Sequence, residues 1–254
     1  MFSTSRSATR RVVSLALAAP LALALAACGG AADDAGGFEG DPIAAIPAPE
    51  GTSWTETVTV TEQDGYLLGN PDAPLKLVEY ASHTCGACAN FSSTAKQDLK
   101  EQYIASGVVS FEQRNLVRDP VDLAIATLVR CGADENMQAL SDQAWGSFNE
   151  IMNNAQTAGQ QIQESGSLPI EQRFVRIAQV SGLLDFFASR GISTDQAEAC
   201  LSDAATVEGI ANASAAQADE LGIQSTPTFI LNGQVLEARQ WPELEPVLQR
   251  ACAR

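Results

Sequence analysis

Apolar and polar positions follow two different periods along this chain, and the changes of period mark its organisation. Thr55–Val60 is a β-branched run that reads as an edge strand, and the cluster GNPDAP, residues 69–74, reads as a turn. LKLVEY, residues 75–80, is short and largely apolar, as a buried central strand should be. The period then lengthens. Phe91, Ala95, Leu99 and Tyr103 recur every four residues, which is one face of a helix. VVSFEQ, residues 108–113, reads as the next strand. Strand, helix, strand predicts a βαβ unit with a parallel sheet. Near the other end, PTFIL (227–231) and QVLE (234–237) flank Asn232-Gly233, a strong hairpin signal. A last helix is expected from about Trp241, with Leu244, Val247, Leu248 and Ala251 on one face.

Between these halves lie helical signals. Asp119-Pro120 is a helix start, with Asp as cap and Pro at the first position. Leu140, Ala144, Phe148 and Ile151 keep a helical period, as do Ile170, Phe174, Ile177 and Ser181. STDQ, 193–196, is a capping box. Val207, Ile210, Ser214, Ala218 and Leu221 run to Gly222, a natural stop. The polar stretch 153–169 reads as a loop. The predicted order is a βαβ half over 55–118, a helical insert over 119–222 and a ββα half over 223–254.

The N-terminus changes the picture of where this domain works. Arg6, Arg10 and Arg11 precede an uncharged apolar run from Val12 to Ala27. That run is short for a membrane span and is built like a secretory signal. It ends in LALAAC, Leu23 to Cys28, which resembles the bacterial lipobox. We expect residues 1–27 to be a lipoprotein signal peptide and Cys28 the lipidated residue, so that the chain meets the membrane only through its anchor. The competing reading is an ordinary signal peptide with Cys28 a bystander. Residues 28–54, rich in Gly, Ala, Asp and Pro, read as a disordered tether. The compartment implied is the bacterial cell envelope, periplasm-facing and oxidising, where disulfides persist. Losing residues 1–27 removes three Arg and no acid, which takes the formal charge from −16 to −19. So acidic a chain repels phosphate backbones, and no nucleic-acid partner is expected.

The candidate chemistry lies between the predicted strand 75–80 and the helix that follows it, in ASHTCGACANF, Ala81 to Phe91. Cys85 falls at the helix start, where unpaired N–H groups and the dipole favour a thiolate. Cys88, one turn later, can attack a mixed disulfide from within the molecule. Two thiols thus complete an exchange cycle, and no cofactor is expected. Glu79 stands in an otherwise apolar strand; if buried, its raised pKa suits it to exchange a proton with Cys88, and if the strand is half exposed it points to water. His83 reads as a solvent-facing loop residue. Two other classes compete. A CxxC pair can hold zinc or copper, but one histidine and no second CxxC leave the ligand set short, so no metal is expected. A redox-silent envelope lipoprotein would use the fold only for binding.

EYASHTCGAC, with GIQSTPTFILNG about 140 residues later, resembles the DsbA-like branch of the thioredoxin superfamily over roughly residues 56–252. The resemblance implies a thioredoxin fold with an inserted helical domain, and a thiol–disulfide oxidoreductase. It matches Cys85 and Cys88 to the redox-active pair, Thr226 to a residue that helps choose partners, and Pro227 to a proline that is cis. Glu79 matches a buried acid. The implied partners are reduced or misoxidised secreted proteins and a membrane redox protein that resets the pair. Net oxidation is the expected direction, with reductase or isomerase as the alternative. One departure bears on it: many members carry Pro-His between the cysteines, where this chain has Gly86-Ala87. Similar chains often carry a second cysteine pair in the insert, so Cys131 and Cys200 are expected to form a structural disulfide.

Of six cysteines, one is then assigned to lipid, two to redox chemistry and two to the insert. Cys252 is left over, at the end of the last predicted helix. It should be the only free thiol of the oxidised mature protein. Labelling free thiols in denaturant without reductant and mapping them by mass spectrometry tests this. Labelled Cys131 or Cys200 with Cys252 protected would overturn it.

Overall fold

The structure is a computed structural model that describes residues 41–251 and 253. The expected signal peptide 1–27, Cys28, residues 29–40 of the expected tether and Cys252 lie outside the described residues. In chain order the elements are β1 (Val58–Val60), β2 (Tyr66–Leu68), β3 (Leu75–Ala81), α1 (Gly86–Asp98) and β4 (Val109–Asn115). Eight helices follow: α2 (Pro120–Val129), α3 (Met137–Gly146), α4 (Phe148–Thr157), α5 (Gly159–Ser165), α6 (Ile170–Val180), α7 (Leu183–Ala188), α8 (Thr194–Ser202) and α9 (Ala204–Leu221). The chain closes with β5 (Thr228–Leu231), β6 (Gln234–Val235) and α10 (Trp241–Arg250).

The six strands form one sheet in the order β1-β2-β4-β3-β5-β6. β3 lies inside it, parallel to β4 from Leu75↔Val109 to Ala81↔Asn115 and antiparallel to β5 from Leu77↔Leu231 to Tyr80↔Thr228. Hydrogen-bonded on both edges, β3 can afford few polar side chains: Leu75, Leu77, Tyr80 and Ala81 are buried, and so is Glu79. Phe91, Ala95, Leu99 and Tyr103 are all buried, and α1 runs on through one wider π turn, Leu99–Ile104. They pack with Leu77, Phe111, Phe229, Leu231, Leu244 and Leu248 into the core of the α/β part. Asn232 and Gly233 turn the β5–β6 hairpin at φ 48° and 85°, the left-handed pair that a tight hairpin needs.

Helices α2–α9 have a core of their own. Every residue of α2 from Val121 to Val129 is buried, so this helix is hidden all round, with α3, α6, α8 and α9 packed against it. Asp119 caps it by accepting from the Val121 and Asp122 N–H groups. Ser193 caps α8 through the Gln196 N–H. Cys131 and Cys200 are joined by a disulfide with Cα atoms 6.0 Å apart.

Two expectations fail here. Residues 153–169 are largely helical, in α4 and α5, where a loop was expected. Ile151, Ala155, Ala158 and Ser165 are buried and Ile162 is partly buried, a helical spacing carried mainly by small residues among Asn and Gln, so its apolar contrast is faint. Residues 41–54 are not a free tether. The Ile46 N–H donates to the Ser106 carbonyl at 2.8 Å, the Trp54 indole donates to the Ile46 carbonyl at 2.7 Å, and Ile43 and Trp54 pack on the α/β core. Gly107 makes room for this arm: a Cβ there would stand 2.3 Å from the Ile46 oxygen. The segment docks without regular structure, so no period announces it.

The Cys131–Cys200 bridge spans 69 residues and ties the start of the insert to its end. Replacing both by Ser should lower unfolding stability by about 4 kcal/mol in the chain-entropy model. Urea denaturation of parent and variant checks this, and an unchanged midpoint would refute it.

Candidate active site

β3 ends at Ala81, and the next residues form a tight turn into α1. The Ser82 hydroxyl accepts from the Thr84 N–H at 3.2 Å, and the Ser82 carbonyl accepts from the Cys85 N–H at 3.3 Å. The insert holds this turn from outside. Asp119 accepts from the Thr84 hydroxyl, Asp122 accepts from the His83 N–H at 2.7 Å, and the Trp145 indole donates to the Ser82 carbonyl at 3.0 Å. Cys85 is thereby the N-cap residue of α1, in extended conformation, with Gly86 and Ala87 exposed after it.

His83 does not face solvent as expected. It is 2% exposed, its ring stacks on Trp145 with centroids 4.9 Å apart, and its Nε2 lies 3.0 Å from the Ser141 hydroxyl. The Asp122 hold on its backbone turns the ring inward under α3. Ser141, His83 and Asp122 are the residue types of a hydrolytic triad. Here Ser141 is fully buried and its oxygen already accepts from the Gln113 amide, so no substrate reaches it.

The antiparallel pairing of β3 with β5 decides what faces the cysteines. Tyr80 pairs with Thr228, so the residues just after β3 meet those just before β5. Thr226-Pro227 is a cis peptide. The Cys85 thiol donates to the Thr226 carbonyl at 3.3 Å. Cys85 is 5% exposed and Cys88 is fully buried, packed with Ala81, Ala89, Trp145 and Phe148.

Burial and hydrogen bonding push the two thiols apart. A hydrogen bond from the Cys88 thiol brings the Cys85 pKa down to about 5, against the opposing effect of burial. The Thr226 side chain and the backbone N–H groups of Cys88 and Ala87 add to the lowering. The Thr226 hydroxyl is buried with no other partner and is placed to donate once the sulfur ionises. Cys88 moves the other way: burial raises its pKa first, its hydrogen bond to Cys85 next, then the charges of Glu79 and Cys85. The stable reduced state therefore has a Cys85 thiolate and a Cys88 thiol.

Glu79 is fully buried, and neither carboxyl oxygen has a hydrogen-bond partner. Burial raises its pKa to about 7; Lys96 counteracts this, while Asp142 and Cys85 add to it. Lys96 sits on α1 with its ammonium 2.6 Å from Asp142, 3.1 Å from the Gln113 side-chain amide oxygen and 4.5 Å from the Trp145 ring. The structure thus gathers Glu79, Cys85, Cys88, Thr226 and Pro227 at one place, and Cys131–Cys200 lies in the insert. Lys96, Gln113, Asp122, Asp142 and Trp145 join the site without having been singled out in the sequence. Only Lys96 left a trace there, eleven residues after Cys85 and so on the same side of α1 three turns on. Among the described residues, no group of three or more His, Cys, Asp or Glu could hold a metal ion.

The family model described as Thioredoxin matches residues 61–250. The chain belongs to the thioredoxin family. A crystal structure of a protein-disulfide isomerase from Novosphingobium aromaticivorans is similar at 28% identity and TM-score 0.70, covering 74% of this chain and 97% of that one. Wolbachia pipientis alpha-DsbA1 shares the fold at 22% identity and TM-score 0.58, over 73% of this chain and 89% of its own. A Rickettsia bellii relative named "Putative protein-disulfide oxidoreductase" is 30% identical over 186 residues, 73% of this chain and 63% of that protein. The chain therefore matches less than two thirds of that relative's length. Within this thioredoxin-family chain, the β3–α1 junction holds the CxxC pair and β5 begins beside it.

For a carboxyl whose folded pKa is raised, the folded state holds the extra proton, so stability falls as pH climbs from about 4.5 through about 7. Glu79→Gln imitates the protonated acid. In the reduced protein its unfolding stability should match the parent below pH 4.5 and exceed it above pH 7, by on the order of 3 kcal/mol. Urea midpoints of parent and variant across pH measure it, and parallel curves would refute the assignment.

Proposed function

We propose that this chain is a thiol–disulfide oxidoreductase of the bacterial cell envelope that passes its own disulfide to reduced secreted proteins. The observation that carries the reading is the split between Cys85, ionised at neutral pH, and Cys88, held as a buried thiol beside Glu79.

In the oxidised form a Cys85–Cys88 disulfide meets a client thiolate. The client sulfur attacks Cys85, the Cys85–Cys88 bond breaks, and the electron pair leaves on Cys88, which takes the proton held by Glu79. A second client thiolate then attacks the client sulfur of the mixed disulfide. The new client disulfide forms and Cys85 departs as a thiolate. The client dithiol has lost two electrons and two protons: the electrons rest on the Cys85–Cys88 pair, both client protons pass to solvent, and Cys88 keeps the proton that Glu79 gave up, so Glu79 is left ionised and regains a proton from solvent. A membrane redox protein that accepts electrons from the reduced pair returns it to the disulfide.

The stable Cys85 thiolate supports this direction. It is a good leaving group, and it stabilises the reduced enzyme over its disulfide. The helix start, the Thr226 side chain and Cys88 supply that stabilisation without an ionisable residue between the cysteines. The second reading is isomerisation, in which the Cys85 thiolate attacks a wrong client disulfide. Similarity to the Novosphingobium protein, which is named a protein-disulfide isomerase, favours it. The envelope location and the Cys28 lipid anchor belong to the same proposal and rest on the N-terminal sequence. No helix among the described residues is long and apolar enough to cross a membrane.

Cys85→Ser should abolish oxidation of a reduced test protein, and Cys88→Ser should trap a mixed disulfide with it. Unchanged activity of Cys85→Ser would sink the proposal. Equilibrium with glutathione separates the directions: a potential as low as about −270 mV, in the range of thioredoxin, would contradict net oxidation.

A further inference from the structure

Gly86 and Ala87 carry no side chain able to hold the turn between the cysteines, so any side-chain support for the backbone of that turn must come from elsewhere. A side chain from the far end of the sequence does so. Gln240 precedes α10, and its carbonyl accepts from the Glu243 and Leu244 N–H groups at 3.1 and 3.0 Å. The buried Trp241, Leu244 and Leu248 then anchor α10 in the α/β core. From this fixed base the Gln240 side-chain amide reaches across to the first turn of α1. Its Nε2 donates to the Ala87 carbonyl at 3.1 Å, and its Oε1 accepts from the Asn90 amide at 2.6 Å. Ala87 and Asn90 are three apart and share one face of the turn. The Ala87 oxygen can only accept, which decides which way round the Gln240 amide lies.

The carbonyl of Ala87 and the N–H of Cys88 are the two ends of one peptide group. That N–H is one of the donors that favour the Cys85 thiolate. A donor on the oxygen end polarises the peptide and strengthens its N–H end, as in any chain of hydrogen-bonded amides. The chain here runs from the Asn90 amide through the Gln240 amide and the Ala87–Cys88 peptide to the Cys85 sulfur. It also adds to the hold of α1's own backbone on that peptide plane and so resists its rotation.

We propose that Gln240, backed by Asn90, is a positioning residue for the Cys85 thiolate: it orients and polarises the Ala87–Cys88 peptide that faces the sulfur. The proposal deepens the redox reading above and rests on it. The titratable groups that act on Cys85 are Cys88 on α1 and Glu79 on β3, with Lys96 and Asp142 acting on Glu79. Substitution at 240 leaves all of these in place.

The experiment compares the parent with Gln240→Met, which keeps length and removes the donor, and with Gln240→Glu, which puts an acceptor against the Ala87 oxygen. Thiolate ultraviolet absorbance against pH gives the Cys85 titration, equilibrium with glutathione gives the disulfide's oxidising power, and urea unfolding reports folding. In Gln240→Met the Cys85 titration should move to higher pH and the equilibrium toward enzyme disulfide, each by up to about threefold, the share of one hydrogen bond that cooperative polarisation passes to the sulfur. Gln240→Glu should move both further, and the urea midpoints should stay at the parent value. A Gln240→Met protein with parent titration and parent glutathione equilibrium would overturn the proposal. So would a change confined to KM for a peptide client, which would make Gln240 a client contact. A parent that forms no equilibrium with glutathione would instead sink the redox reading, whatever the variants do.

Discussion

Strand β3 is the constraint on which the rest of this molecule depends. It pairs on both edges, so its backbone groups are satisfied, and α1 covers the face that carries Leu75, Leu77, Glu79 and Ala81. Two consequences follow at its C-terminal end. The chain leaves the sheet at Ala81 and turns at once into α1, which puts the first cysteine at a helix start. Because β5 runs antiparallel beside it, the residues entering β5 arrive at the same point. The contact between Cys85 and the Thr226 carbonyl is a product of strand register, across 141 positions of sequence. Glu79, two residues before the end of β3, is carried into the core on that covered face and left without a hydrogen-bond partner.

The chemistry comes from a difference of depth within one helical turn. Cys85 keeps contact with the surface and with donors that appear only at a helix terminus. Cys88 has lost water entirely and holds its proton. One turn of helix is enough to separate the two because the turn before it is clamped. Asp119, Asp122 and Trp145 fix the residues leading into Cys85, and all three come from the insert. The insert is therefore more than a lid: its first helices set the geometry of the α/β part's reactive loop. His83 and Lys96 are drawn into the same packing against Trp145, one by stacking and the other by placing its charge over the ring.

The order of elements was legible in the chain because period and punctuation agree there. The alternation and apolar runs of the strands, the i, i+4 series after Cys88, Asp119-Pro120 and Asn232-Gly233 are local signals, and local backbone physics decides them. The helix-start cysteine was legible for the same reason, since a thiol at a helix terminus needs only its neighbours to be favoured as a thiolate. The position of Thr226-Pro227 beside the pair entered through a family likeness and not through any period. Helices α4 and α5 escaped notice because small residues mark their buried face, and the docked arm 41–54 because an extended segment has no period.

What only the tertiary structure decided is every property that depends on who stands across from whom. Sequence alone left Glu79 open between a buried acid and a solvated one; the packing of α1 over the face it shares with Leu75 and Leu77 makes it buried. It put His83 in solvent, because loops are usually wet; a carboxylate from α2 and a ring from α3 turn it inward. Lys96, Asp142 and Gln113 belong to three different elements, and nothing in their spacing marks them as a group. The Gln240 contact joins positions 153 residues apart. Helix starts, turns and apolar faces are settled within about a dozen residues by backbone sterics and burial. The charge environment of a thiol is settled by side chains that converge from the whole chain, and it exists only once the chain has packed.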